Sequence, residues 1–188
     1  DEYPNFNIVG ECWTRPTPAV AYWQSGVKNH NGFDSHLPSV MDFPLEEAIR
    51  QALESDNQGW GGGLTRVYDV LTMDYMYADV NDILIMLGNH DMDRIADVVK
   101  DQDPRRVKLA YTLLATMRGI PQVFYGDEYA MKSADRNLGH STLRMPLPLG
   151  EQVTAEMQDM FDYQSRLFQW RKGEEVIHTG KTMHFMSR

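Results

Sequence analysis

The sequence predicts an α/β fold built on a parallel sheet, and three observations carry that prediction. Strand-like and helix-like segments alternate along the chain, an order that implies parallel strands joined by right-handed crossovers. Ile83-Leu84-Ile85-Met86-Leu87 is an uninterrupted apolar run, the pattern of a strand buried on both faces. The four strand candidates end in Glu11, Asp42, Asp91 and Asp127, and α/β proteins place their sites at the carboxyl ends of such strands. Four units suit either a small doubly wound sheet or part of a (β/α)8 barrel, which in full takes about 250 residues. The chain has enough units for about half of one.

Taken in order, Phe6-Asn7-Ile8-Val9-Gly10-Glu11 reads as a short first strand, with Cys12 and Trp13 just beyond. The polar stretch from Thr14 to Pro38 follows, carrying Tyr22, Trp23, His30, Phe33 and His36. It is long for a connection within a compact domain, and long loops are usually functional or disordered; its aromatics argue for order. Ser39-Val40-Met41-Asp42-Phe43 is a weaker second strand. Pro44 suits the first turn of a helix whose face is Leu45, Ile49 and Leu53. Gly59 to Gly63, around Trp60, form a hinge or turn, lacking both the Lys-Ser/Thr of a phosphate loop and the spacing of a dinucleotide fingerprint.

Leu64, Val67, Tyr68, Leu71 and Tyr75 then fall at helical spacing. After the central apolar strand, Asp103-Pro104 opens a helix with Val107, Ala110, Leu114 and Met117 on one face and Gly119 as its stop. Ile120 to Gly126 is a fourth strand, and a polar loop runs from there through Pro148. Met157, Met160, Phe161, Leu167 and Phe168 define a last helix ended near Gly173. Residues 1–173 therefore read as one catalytic-type unit. The tail, residues 174–188, is too short for a domain and is at most the start of a following β-domain. The chain starts a few residues before its first strand, with no initiator Met and no signal peptide, so its beginning reads as cut.

Composition narrows the function classes. With 27 acidic against 18 basic residues and a net charge of −9, no basic stripe exists to neutralise phosphates, which argues against nucleic acid or an anionic membrane as partner. No run of 18 apolar residues occurs to span a bilayer. The single cysteine, Cys12, excludes an internal disulfide and any multi-cysteine metal site. No Gly-x-Ser-x-Gly is present, so a serine hydrolase has no foothold.

If their strands are parallel, Glu11 and Asp91 share a rim. Two carboxylates across a pocket are the machinery of glycoside hydrolysis, one protonating the leaving oxygen and the other stabilising positive charge at the sugar. Burial beside Trp13 would help Glu11 keep the proton that a general acid must give. His90 is placed to donate to a sugar hydroxyl, Arg94 to orient Asp91, and Trp13, Tyr22, Trp23 and Phe33 offer flat apolar faces to sugar rings. A plain structural reading stands beside this one. Asn89-His90-Asp91 could cap the helix or turn that follows, Glu11 could be a capping or salt-bridged carboxylate, and Trp13 could be core. His90 with Asp91 is weak evidence for a metal, since no third ligand stands at recognisable spacing.

The motifs resemble those of glycoside hydrolase family 13, the α-amylase family. Ile8-Val9-Gly10-Glu11-Cys12-Trp13 resembles the segment bearing its general acid/base. Asn89-His90-Asp91, closed by Arg94, resembles its last catalytic-region motif. Gly119 to Glu128 resembles its eighth barrel strand, and the order and distances of the three agree. The nearest flavour is neopullulanase or cyclomaltodextrinase.

The resemblance implies the carboxyl-terminal half of the barrel, its fifth strand to its eighth helix, from a retaining hydrolase of α-1,4 or α-1,6 glucosidic bonds. It implies Glu11 as proton donor, Asp91 as transition-state stabiliser, and His90, with Asn89, Trp13 and Arg94, as substrate-binding residues. No metal and no cofactor is implied, and calcium in a parent enzyme is not indicated by this sequence. The partner is an α-glucan oligosaccharide or polysaccharide. A homodimer through the exposed half-barrel edges is a further expectation, because unpaired strand edges are a liability that proteins cover.

Two departures qualify the likeness. The family's nucleophile is an Asp two residues after an Arg, upstream of the Glu, and no Arg here is followed at the second position by Asp. Ser141 to Pro146 matches the family's segment after the eighth strand only loosely. The chain by itself is therefore expected to be inactive, and a non-catalytic sugar-binding or structural fragment is the competing expectation.

Overall fold

The structure, a computed structural model, describes residue 3, residues 6–56 and residues 59–183. The core begins with the apolar run. β3 (Leu84–Met86) is its hydrogen-bonded centre, and its side chains bury on two faces. Ile85 and Leu87 pack against the helices with Leu45, Ile49, Val107, Tyr111 and Leu114. Met86, on the opposite face of the strand from Ile85, joins Phe43 and Met92, and Ile83, just before the strand, joins Val20, Val40 and Tyr77. The continuous apolar pattern is thus explained by burial on both sides.

β1 (Val9–Gly10) pairs in parallel with β2 (Ser39–Val40), and β3 pairs in parallel with β4 (Ile120–Gln122). A parallel bridge between Met41 and Leu84 joins the two pairs, with the Asp42 amide donating to the Leu84 carbonyl at 2.9 Å. The strands therefore stand side by side in chain order, as the alternating pattern predicts. All four are shorter than the apolar runs suggest. The fourth ends at Gln122 rather than Gly126, because the chain turns away and Gly126 takes φ +85°. A Cβ there would strike the Met131 sulfur and crowd Arg94, so glycine is required.

The helices begin where their punctuation says. α2 (Phe43–Glu54) is capped by the Asp42 carboxylate, which accepts from the Leu45 amide at 3.1 Å, with Pro44 in its first turn. α5 (Pro104–Thr116) is capped in the same way by Asp103 through the Arg105 amide. Its other end is closed from outside: the Arg171 guanidinium donates to the carbonyls of Ala115, Met117 and Gly119 at 2.6–2.8 Å. A cation on the orphan carbonyls of a helix end satisfies them and complements the dipole. Arg171 comes from α6 (Ala155–Gly173), capped by Thr154.

The helix expected from Leu64 to Tyr75 is shorter, α3 (Thr65–Leu71), with Tyr75 in a separate turn over Asp74–Met76. Two short helices were not legible, α1 (Thr17–Ala21) and α4 (Ile95–Val98). The long stretch after β1 is ordered. Gln24, 2% exposed, donates to the Asp79 carbonyl at 2.7 Å and accepts from the Ala78 and Asp79 amides, pinning the stretch to the segment before β3. Within it Tyr22 stacks on Phe33, and Trp23 meets both edge-on. Gly59 to Gly63 contain a turn closed by the Gly62 amide on the Gly59 carbonyl. The tail holds a short exposed helix, α7 (Glu175–Thr179), and its last residues, 184–188, lie outside the described residues. Among the described residues no helix is long and apolar enough to cross a membrane.

Candidate active site

One buried side chain links the two carboxylates that the sequence singled out. Asn89 follows the central strand and is 4% exposed. Its Nδ2 reaches toward Glu11 Oε1 at 3.5 Å, and its Oδ1 accepts from the Asp91 amide at 2.8 Å. A single amide, locked by burial, thus places the end of β1 and the turn after β3 on the same rim. The capping reading of Asn89 is true locally, since the bond to the Asp91 amide is an Asx turn. The same side chain also reaches Glu11.

Asp91 is the most heavily bonded group at this rim. Arg144 Nη2 donates to its Oδ1 at 2.9 Å, His140 Nδ1 lies 3.3 Å from the same oxygen, and His90 Nε2 lies 3.2 Å from Oδ2. Desolvation works to raise the Asp91 carboxyl. The hydrogen bonds from Arg144 and His140, with the charges of His90 and Arg144, outweigh it and hold the group below its ordinary value. Asp91 is therefore a carboxylate throughout the neutral range, the state in which it can face positive charge. His90 is half-exposed, with its Nε2 turned to Asp91.

Glu11 is exposed rather than buried beside Trp13. Trp13 instead stacks on Phe43, with centroids 5.0 Å apart and planes at 23°. One face of the indole is thereby occupied, while the ring remains 53% exposed.

Arg94 does not orient Asp91. It is buried at 1% exposure, and its guanidinium donates to Asp127 Oδ1 and the Leu143 carbonyl, both at 2.7 Å, and to the Tyr125 carbonyl at 2.9 Å. Phe124 lies 4.7 Å beneath it. With every donor direction turned into the protein, it holds the segment after β4 rather than meeting solvent. That segment carries His140 and Arg144, so Arg94 acts on Asp91 only through the loop it anchors.

Two strand-end carboxylates also leave the rim. Asp42 is fully buried, caps α2 and pairs with Arg118 Nη1 at 2.7 Å, while Arg118 also binds Asp74. Asp127 is the buried partner of Arg94, its carboxyl pushed up by burial to about 6 against the pull of that cation. His140 and Arg144 escaped the sequence reading. Their partner lies 49 and 53 residues away, and a polar loop gives no periodic signal. Among the described residues no group of three or more His, Cys, Asp or Glu is arranged to hold a metal ion.

The family model of the alpha amylase catalytic domain matches residues 1–186. A cyclomaltodextrin glucanotransferase of Geobacillus stearothermophilus is 33% identical over 103 residues, 55% of this chain and 14% of that protein. An alpha-amylase of Streptomyces lividans is 28% identical over 155 residues, 76% of this chain and 15% of its own length. The chain thus spans about a seventh of these relatives. Among solved structures, an alpha-amylase of Geobacillus thermoleovorans complexed with acarbose superposes with a TM-score of 0.70 at 23% identity, over 94% of this chain and 36% of that one. The cyclic alpha-maltosyl-(1→6)-maltose hydrolase of Arthrobacter globiformis gives 0.71 at 20% identity, over 93% and 35%. The (β/α)8 barrel of such enzymes is the fold to which this parallel α/β sheet corresponds in part. The chain belongs to the alpha-amylase catalytic-domain family.

Proposed function

We propose that the chain is the carboxyl-terminal half of that barrel, β1 to β4 standing for its fifth to eighth strands and α6 for its eighth helix. The parent enzyme, on this reading, is a retaining hydrolase of α-1,4 or α-1,6 glucosidic bonds. The observation that supports it best is the Asn89 side chain, bonded on one side toward Glu11 and on the other to the Asp91 turn.

In the reaction Glu11 gives its proton to the glycosidic oxygen as the bond from that oxygen to C1 breaks. Asp91, a carboxylate held by Arg144 and His140, faces the positive charge that develops on the sugar. A carboxylate nucleophile then bonds to C1, forming a glycosyl ester. Glu11, now ionised, takes a proton from water as that water attacks C1 and frees the nucleophile. The nucleophile is the part this sequence lacks, because none of its arginines is followed two residues later by Asp. His90 donates to a sugar hydroxyl, the open face of Trp13 carries a sugar ring, and Arg94 is a positioning residue. The competing reading, a non-catalytic carbohydrate-binding or structural half-barrel in which Glu11 and Asp91 stand idle, is not favoured by the family match.

Glucan binding tests the shared part of both readings. Calorimetry with maltotetraose should give a saturable heat, weakened about tenfold in Asp91→Asn, the worth of about one hydrogen bond to a charged group. Absence of binding by the unaltered chain would overturn the glucan assignment. Undiminished binding by Asp91→Asn would move the glucan away from this rim.

A further inference from the structure

Behind the loop that joins β4 to α6 lies a cavity of about 690 Å³, within the roughly 300–1,000 Å³ of pockets that take small ligands. Glu11, Asp91, His140 and Arg144 do not line it, so it is separate from the rim. Its walls come from the first turns of α5 and α6 and from both stems of that loop, around Met131 and Met145.

The lining changes character from floor to mouth. Val107, Met131 and Met160 are buried and form an apolar floor, to which Met145 and Met157, half-buried, add two more thioethers. Unbranched, polarizable methionines around one space make a lining that adapts to an apolar guest. Lys132 and Gln102, by contrast, are exposed. The Lys132 ammonium donates to Gln102 Oε1 at 2.7 Å, and among the described residues that neutral amide is its bonded partner. Its charge is therefore unmatched. Glu156, the carboxylate in the lining, is drawn to the start of α6, where its own amide and the Thr154 hydroxyl hold it below its ordinary value. Two residues of the wall also keep a backbone that side chains other than glycine rarely adopt, Gln102 at φ +49° and Ala130 at φ +52°. Strain of this kind gathers at ligand clamps.

We propose that this cavity binds an alkyl carboxylate, its chain among the methionines and its head group on Lys132. The unmatched charge and the gradient from floor to mouth carry the assignment. A neutral apolar guest would leave the ammonium without a counter-charge. A polyhydroxy guest would bury its hydroxyls against a floor of methyls and thioethers, which costs free energy. A carboxylate at the exposed mouth makes a charge-assisted hydrogen bond with the ammonium, and neither charge has to leave water completely. The chain meanwhile removes apolar surface from water, its own and that of the methionines.

The test uses the full chain with decanoate, and with decanol as the same chain without the charge. Decanoate should bind saturably and about tenfold more tightly than decanol, the worth of about one hydrogen bond to a charged group. Lys132→Met should erase that preference while leaving decanol binding within about twofold. In the unaltered protein, saturation with decanoate should move the methyl resonances of Met131, Met145 and Met157, which line the cavity, and leave that of Met76, in the turn after α3, in place. That readout needs no variant to fold. Absence of saturable decanoate binding, or binding that leaves the lining methyls still, would overturn the site. Equal affinity for decanoate and decanol, unchanged in Lys132→Met, would overturn the carboxylate assignment.

Discussion

Replacing Arg94 with Met is expected to lower stability by about 3–5 kcal/mol, the range for breaking a buried ion pair from one side. The direction follows from what the substitution leaves behind. Asp127 stays buried without its cation, and the carbonyls of Tyr125 and Leu143 lose their donors. Methionine recovers the apolar contact with Phe124 but none of these bonds. Part of the loss is relieved by protonation, since the Asp127 carboxyl already sits at about 6 and would rise further. The double variant Arg94→Met with Asp127→Asn should therefore recover a share of the loss, and a double-mutant cycle measures it. Denaturant midpoints for the four proteins provide the check. A change below about 1 kcal/mol in the single variant would mean that the pair is not the anchor the geometry describes. The same variant should loosen the loop carrying His140 and Arg144, and so let the Asp91 carboxyl return toward its ordinary value.

The second large effect is on the pH dependence of stability. Burial pushes the Glu46 carboxyl from 4.5 up to about 8, opposed by Arg50 and Arg15 and reinforced by Glu47. Between those two values the folded protein holds a proton that the unfolded chain has released, so raising the pH favours unfolding. The contribution is fully present below about pH 4.5 and is lost progressively up to about pH 8. At about 1.4 kcal/mol per unit, the whole window is worth on the order of 5 kcal/mol. Asp127 acts in the same direction over a narrower span, from 3.8 to about 6. Urea unfolding at pH 5 and pH 8 should show the protein less stable at the higher pH. Glu46→Gln should remove most of that difference, because an amide does not titrate. A protein that gains stability from pH 5 to 8, with the variant following it in parallel, would contradict the burial of this group.

What the sequence disclosed depended on whether a feature is local. Asp42-Phe43-Pro44 and Asp103-Pro104 announce their helices because the cap and the fixed proline φ act within one turn. The Ile83–Leu87 run announces its strand because burial on both faces leaves no room for polar residues. The four- and five-residue helices α1 and α4 are too short to establish a period. The site divides along the same line. Asn89, His90, Asp91 and Glu11 were legible as polar groups at strand ends. Their place at strand ends did not distinguish them from Asp42 and Asp127, which stand there too but turn inward to Arg118 and Arg94; only the motif resemblance singled out Glu11 and Asp91. That distinction is made by partners 33 and 76 residues away. Arg94 was read outward for the same reason, and Arg144, which holds Asp91 in its place, stayed unseen in a polar loop. Glu46 reads as an ordinary residue of a helix first turn, and only packing shows that it is buried with an oxygen unmatched.

The central proposal is that this chain carries the acid/base and the stabilising carboxylate of an α-glucan hydrolase without the nucleophile. Reducing-end release from soluble starch and cyclodextrin by the purified 188-residue protein, measured beside its Glu11→Gln variant, addresses it most directly. The account predicts no release above the blank from either protein, because the glycosyl ester cannot form without the missing carboxylate. Turnover by the unaltered chain that disappears in Glu11→Gln would contradict it.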